Sequence, residues 1–350
     1  MDTSFNFNPD MFRLARNYRG LTQSDLSAQT EISQSLLSKF DHGVKTPTRE
    51  QLDRISVALE FPVPFFIQTG DDLPSGLIFH RKRVSLKEKE RSRIESEVKL
   101  RLKCLKTLLL QLDIDSNIPY MDLNEHSNDP REVARALRYY WKIADGPIKN
   151  VIALLENNGI IVLRFDFGND TLDGFFIFDE RPCIAINSRF PMDRQRFTLC
   201  HELGHIIMHK IPDDNIEKEA DTFASEFLMP ERDINKDFIH RRIDLKLLIS
   251  LKPIWKVSIA ALIKRAQTLD HITPSNVRRL YSQMSALQIR KTEPVTLPLE
   301  VPSLIGEIIE TYYKELNYSR EEIQEILCIS SKDFLRFFPP FPIHFPRVTF

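Results

Sequence analysis

Residues 201–205 read His-Glu-Leu-Gly-His, and this pentad constrains the fold more than any other feature of the chain. On a helix, positions i and i+4 lie one above the other, so the His201 and His205 imidazoles face one space and can grip a single ion. Glu202 projects beside them and can take a proton from metal-bound water. Phe197, Leu199, Ile206 and Ile207 make another face of the segment apolar, which places the pentad on a helix packed into a core. A β-rich region precedes it: Ile160–Phe165, Gly174–Phe178 and Cys183–Asn187 are short apolar runs separated by turn signals such as Gly168-Asn169-Asp170. If Cys183–Asn187 forms an exposed sheet edge, an extended peptide can add to it as a further strand.

A catalytic zinc needs a third protein ligand and an open position for water. Ile211 stands at the sixth residue past His205, where a histidine would otherwise serve. Two candidates remain. Glu217 opens a Glu217-x-x-x-Asp221 pair at helical spacing; one carboxylate can bind the ion while the other accepts the free N–H of a ligand histidine. His209 continues the i+4 series from His205, but a third ligand on one straight helix drifts sideways and reads instead as a rim residue or a transition-state contact. Glu219 and Glu226 fall off the Glu217–Asp221 stripe and read as solvated. The sequence does not fix an oxyanion donor, for which His209 and Arg194 are candidates only, and Cys200 points away from the pentad into the core.

The chain has 350 residues and a formal charge of −1, so no whole-chain field announces a nucleic-acid or membrane partner. Its four cysteines lie far apart with no C-x-x-C pair, which disfavours a disulfide scaffold or cysteine zinc site and fits a reducing compartment. No basic-then-apolar leader is read at the start, and the expected location is cytoplasmic. Charge is nonetheless uneven. Residues 71–110 carry eleven basic against six acidic residues, about +5, including Arg81-Lys82-Arg83. Ile94, Val98 and Leu102 make this span a charged helix with one apolar seam.

Residues 9–68 read as short helices with tight connections. Thr22 and Asp25 have capping-box spacing, Ser33 is placed to cap a short helix, Gly43 closes it, and Pro47-Thr48 starts another. The pattern Arg16-x-x-Arg19-Gly20-Leu21-Thr22-Gln23-x-x-Leu26, then Ile32-Ser33-x-x-x-Leu37-Ser38-Lys39-x-Asp41-x-Gly43, resembles the Xre/Cro-type helix-turn-helix. On that reading Gln34 and Ser35, with Lys39 one turn on, reach base edges in the major groove, while Gln23, Arg16 and Lys45 contact phosphates. Glu31 occupies the turn position where that family favours glycine. Residues 1–70 carry about −1, so DNA affinity calls for a homodimer or help from the basic 81–106 span.

The peptidase-like stretch also carries a resemblance. Ile184-Ala185-Ile186-Asn187, Gln195–His205, and Glu217-x-x-Ala220-Asp221-x-Phe223-Ala224-x-x-Phe227-Leu228-Met229-Pro230 resemble the ImmA/IrrE family of metallopeptidases, over roughly residues 150–290. The resemblance implies His201, His205 and Glu217 as ligands, Asp221 behind them, Glu202 as base, and zinc as the ion, with manganese or another divalent cation as alternatives. It also implies a narrow range of protein substrates, typically a partner transcriptional repressor. Cys200 replaces a usual small apolar residue and Asp221 stands where Asn is common.

The expected architecture is α+β and predominantly helical. A five-helix helix-turn-helix domain spans 1–70, a basic helical connector 71–125, a zincin-like peptidase domain with a small mixed sheet 126–240, and a helical C-terminal region 241–350. The expected function is a zinc endopeptidase coupled to a DNA-binding module, with DNA and a repressor as partners and no membrane. The alternative is a non-proteolytic helix-turn-helix regulator or antitoxin-type protein with a structural or vestigial metal site; the intact Glu202 argues against it, because a structural site needs no base.

Overall fold

Short polar residues set many of the helix starts. Asn8, Thr22, Thr48, Asp244, Ser258, Thr273, Ser319 and Ser330 each accept a hydrogen bond from an amide of the following first turn. The computed structural model describes residues 6–68, 87–110, 117–177, 181–209, 215–290 and 292–339. The first helices are α1 (Pro9–Tyr18), α2 (Gln23–Thr30), α3 (Gln34–Asp41), α4 (Arg49–Leu59) and α5 (Glu88–Leu109). α6 (Pro130–Tyr140) and α7 (Val151–Asn157) lead into β1 (Ile161–Phe165), β2 (Gly174–Ile177) and β3 (Cys183–Asn187). Then come α8 (Met192–Met208), α9 (Ile216–Leu228), α10 (Glu231–Phe238), α11 (Leu245–Trp255), α12 (Ile259–Thr268) and α13 (Pro274–Ala286). The last are α14 (Leu304–Lys314), α15 (Arg320–Leu327) and α16 (Ser331–Phe337).

The described residues form two units. The first holds α1–α5 together with α14–α16. Phe12, Leu26, Leu37, Phe40, Leu52, Ile55 and Phe65 fill the interior of its N-terminal part. Four α-helices and a short 3-10 turn at Val63–Ile67 stand where the sequence predicts five helices. Glu31, between α2 and α3, has φ +57, the left-handed conformation that explains why glycine would suit this turn.

Helix α5 departs from the sequence expectation. It has more than the one apolar seam expected: Ile94, Val98, Leu100, Leu102, Cys104, Leu105 and Leu108 are buried, and so are Glu97 and Arg101. These positions wrap more than one face, and α5 packs on α1 and α14. Arg81-Lys82-Arg83 lie outside the described residues.

Residues 303–339 also group differently from the predicted 241–350 region, because α14–α16 have apolar faces that close against the N-terminal helices. The Tyr312 hydroxyl donates to the Leu108 carbonyl at 2.9 Å. Asp333, 1% exposed, accepts from the Tyr18 hydroxyl at 2.7 Å and from both Arg19 guanidinium nitrogens at 3.0 and 2.6 Å. The α15–α16 corner repeats the plan of the α2–α3 corner. Each begins with a capping box (Thr22 with Asp25, Ser319 with Glu322) and ends its first helix in a left-handed residue, Glu31 or Cys328. A buried isoleucine (Ile32, Ile329) and a serine at the next N-cap (Ser33, Ser330) follow.

The second unit holds α6–α13 and the sheet. Strand order is β1-β3-β2: β1 runs parallel to β3 with Val162 opposite Ile184, and β2 runs antiparallel to it with Phe176 opposite Ile184. β3 is therefore the central strand and not an exposed edge. All five of its residues are buried, as a strand covered on both faces requires. β1 and β2 are the outer strands on either side of it. α8 packs on β2 and β3, α9 packs on α8, and α6 packs on α9. α11–α13 share this core through Leu248, Leu251, Leu262, Ile263 and Leu280. Glu226, read from helical phase as solvated, is fully buried and paired with Arg265 of α12 and Arg135 of α6. Among the described residues, no helix is long and apolar enough to cross a membrane.

Candidate metal centre

The pentad lies on the buried face of α8, where His201 and His205 are each 1% exposed. Their Nε2 atoms face each other at 3.1 Å. Glu217, on the first turn of α9, brings Oε2 to 3.6 Å from His201 Nε2 and Oε1 to 3.6 Å from His205 Nε2. Among the described residues these three side chains form the one cluster whose ligand atoms all lie within 4.8 Å of one another. A tetrahedral zinc with bonds of about 2.0–2.1 Å sets neighbouring ligand atoms about 3.3 Å apart. The observed 3.1, 3.6 and 3.6 Å separations bracket that value, so two imidazoles and one carboxylate fit a single such ion.

Gly204 explains how α9 comes this close. A Cβ built there would meet Phe223 Cδ1 at 3.0 Å and Ala220 Cα at 3.3 Å, so a side chain at 204 would push α9, and Glu217 with it, away from α8. The sheet reaches the site through Phe176 of β2, whose ring stacks on His205 at 5.7 Å and 21°.

Both histidines are held from behind. His201 Nδ1 lies 2.9 Å from Asp221 Oδ1. His205 Nδ1 lies 2.9 Å from His209 Nδ1, and His209 Nε2 lies 3.0 Å from Glu219 Oε2. Burial alone would push the His201 imidazolium down, but Asp221, Glu217 and Glu202 outweigh it and raise its pKa to about 9. The surroundings of His201 thus favour its charged form. Glu202, 4% exposed, sits within this anionic pocket.

The sequence favours Glu217 over His209 as third ligand; in the structure Glu217 meets the two Nε2 atoms, whereas His209 meets the far edge of the His205 ring. Its backbone is extended (φ −111, ψ 108), so it no longer follows the helical i+4 series. Arg194 pairs with Asp173 at 2.7 Å and lies over the Phe190 ring, so it is engaged away from the pentad. Glu219, expected on a solvated face, is drawn in by His209, and Cys200 is buried in the core. Helical phase could not reveal Glu219, because its partner lies beyond the end of α8. A second missed feature, Gly204, carried a signal in its position between two buried histidines.

In the N-terminal unit, Gln34, Ser35 and Lys39 are exposed on α3, as is Lys45 beyond it. Ser33 occupies the N-cap position of α3 without making a side-chain capping bond; its hydroxyl lies 3.3 Å from that of Ser35. Gln23 is committed inward: its amide donates to Asp41 Oδ2 at 2.6 Å, and Arg16 reaches the same oxygen at 2.9 Å. Arg16 and Gln23 therefore tie α1 and α2 to α3 through one buried carboxylate.

Comparison with family models matches residues 155–267 to an M78-peptidase model described as the IrrE N-terminal-like domain, and residues 16–63 to the Cro/C1-type helix-turn-helix DNA-binding domain. The chain thus joins a Cro/C1-type domain to an IrrE-like domain. The IrrE-like match includes the three strands, α8 and α9, and therefore the whole His201–His205–Glu217 cluster. Comparison with curated proteins gave no match.

Proposed function

We propose that the chain is a zinc-dependent endopeptidase coupled to a DNA-binding module, and that it switches gene expression by cutting a partner transcriptional repressor. The observation that carries this reading is the convergence of His201, His205 and Glu217 on one ion-sized space, with the buried carboxylate of Glu202 on the same helix. His201, His205 and Glu217 would hold the ion, which when bound lowers the pKa of its water toward 7 and polarises a carbonyl. Zinc suits two imidazoles and a carboxylate, though manganese or another divalent cation could take the same set.

Glu202 takes the proton from the attacking water and delivers it to the leaving amine nitrogen. Asp221 fixes the His201 ring so that Nε2 presents its lone pair. β2, beside the site through Phe176, pairs with β3 alone among the described strands. Its outer edge can receive an extended peptide backbone, the role that Cys183–Asn187 was expected to fill. That geometry suits a polypeptide better than a small molecule.

The DNA half of the reading rests on Gln34, Ser35 and Lys39, exposed on α3 with Ser33 at its start, as the base-contacting set. Gln23, held by Asp41, positions α2 against α3. The pairing of a peptidase-like domain with a DNA-reading domain in one chain supports a repressor as the substrate. The test is to incubate the zinc-loaded protein with the repressor encoded beside it and to sequence the released peptides by mass spectrometry. Defined fragments that disappear on chelation support the reading. An intact repressor, with operator binding unchanged by metal removal, favours a non-proteolytic regulator with a structural or vestigial site.

A further inference from the structure

We infer that His209 and Glu219 are positioning residues for His205, forming a two-step brace that fixes its ring and tautomer for metal binding. The inference rests on the metal-site reading above and goes beyond it. α8 ends at Met208, and the extended backbone of His209 sets its ring 5.0 Å from that of His205. The two Nδ1 atoms are 2.9 Å apart, so one of them must carry the proton between them. The other end of His209 settles which. Its Nε2 is 3.0 Å from Glu219 Oε2, and an ionised carboxylate only accepts, so Nε2 bears the hydrogen. In neutral His209 the Nδ1 is then bare and accepts, and His205 Nδ1–H donates to it. His205 Nε2 is left with its lone pair facing His201 and Glu217, the state a ligand needs.

The arrangement is sheltered enough to hold. The His209 side chain is 4% exposed and that of Glu219 29%. It also differs from the device on His201, where Asp221 acts directly. α9 thus supplies Glu217 toward the ion and one carboxylate behind each histidine: Asp221 in one step, Glu219 in two. A transition-state contact for His209 is the weaker reading, because both of its ring nitrogens are already engaged.

The test measures zinc affinity of the full-length protein by chelator competition, together with the visible spectrum of the cobalt-loaded form. His209→Ala and Glu219→Ala should each weaken zinc binding about 10–100-fold and shift the cobalt bands, since orienting partners of ligand histidines carry effects of that size. The double variant should lose little more than either single one, because both act through one chain of bonds. Glu219→Gln keeps an oxygen that accepts from His209 Nε2–H, so it should recover most of the affinity. Thermal unfolding of the metal-free variants checks the fold, and if His209→Ala fails to fold, the Glu219 pair of variants decides. Unchanged affinity and spectrum in His209→Ala, or losses that simply add, overturn the brace while leaving the metal site standing. An unaltered protein that binds no zinc overturns the metal site, and the brace with it.

Discussion

At the scale of single residues, what could be seen in the sequence was what repeats along one helix. His201 and His205 at i, i+4, with Glu202 between them and Glu217-x-x-x-Asp221 downstream, are one-dimensional patterns with a geometric meaning. Side chains whose partners lie on other elements were not legible. Glu226 pairs with Arg265 across 39 residues, and Glu219 meets His209 only because the chain leaves its helical path there. In the helix-turn-helix domain, motif register put Gln34 and Lys39 on α3, where they are exposed, whereas Gln23 is a brace on Asp41. Gln34→Ala combined with Lys39→Ala should abolish binding to an operator selected from random DNA. It should also leave the melting temperature within about 1–2 °C, because exposed substitutions of this kind change stability little. A footprint that survives both changes would place DNA reading elsewhere on the protein.

At the scale of elements, boundaries were largely visible and neighbours were not. α9 spans Ile216–Leu228 and β3 Cys183–Asn187, as the Met229-Pro230 stop and the turn signals around the strand suggest. Strand order was hidden, since three apolar runs of similar length do not say which is central; the continuous apolar character of Cys183–Ile186 was the available clue. The approach of α8 to α9 turns on Gly204. Gly204→Ala puts a methyl 3.0 Å from the Phe223 ring, and overpacking of this kind costs about 1–3 kcal/mol. Zinc affinity should fall with it as Glu217 is carried outward, and trimming the contact with Phe223→Leu should restore part of both. Calorimetric unfolding and chelator competition on the same samples check this. Full zinc affinity in a destabilised Gly204→Ala protein would mean that the spacing of the two helices does not set the site.

At the scale of the whole molecule, residues 303–339 belong with the N-terminal helices, and no local pattern could announce this: Tyr18 and Asp333 are 315 residues apart. Burial alone would raise the Asp333 carboxyl, but hydrogen bonds from Arg19 and Tyr18 hold it below the ordinary carboxylate value. Its stabilising contribution is therefore present above an ordinary pKa of about 4 and is lost as pH falls through the lowered one. The N-terminal unit should lose stability in that acid range, and Asp333→Asn should flatten its dependence on pH there. At neutral pH Asp333→Ala, which leaves Arg19 without its buried partner, should cost about 3–5 kcal/mol in denaturant unfolding. A loss below about 1 kcal/mol, the scale of a surface ion pair, would mean that the C-terminal helices do not rely on this anchor.

The central claim, that the cluster on α8 and α9 cuts a protein partner, meets its most direct test in Glu202→Gln. The zinc-loaded unaltered protein and the variant are each incubated with the neighbouring repressor, with zinc content measured in both. The account predicts defined fragments from the unaltered protein and none from Glu202→Gln at equal zinc content, because the ligands remain and only the proton carrier is gone. The same fragments from Glu202→Gln, or none from the zinc-loaded unaltered protein, would contradict it.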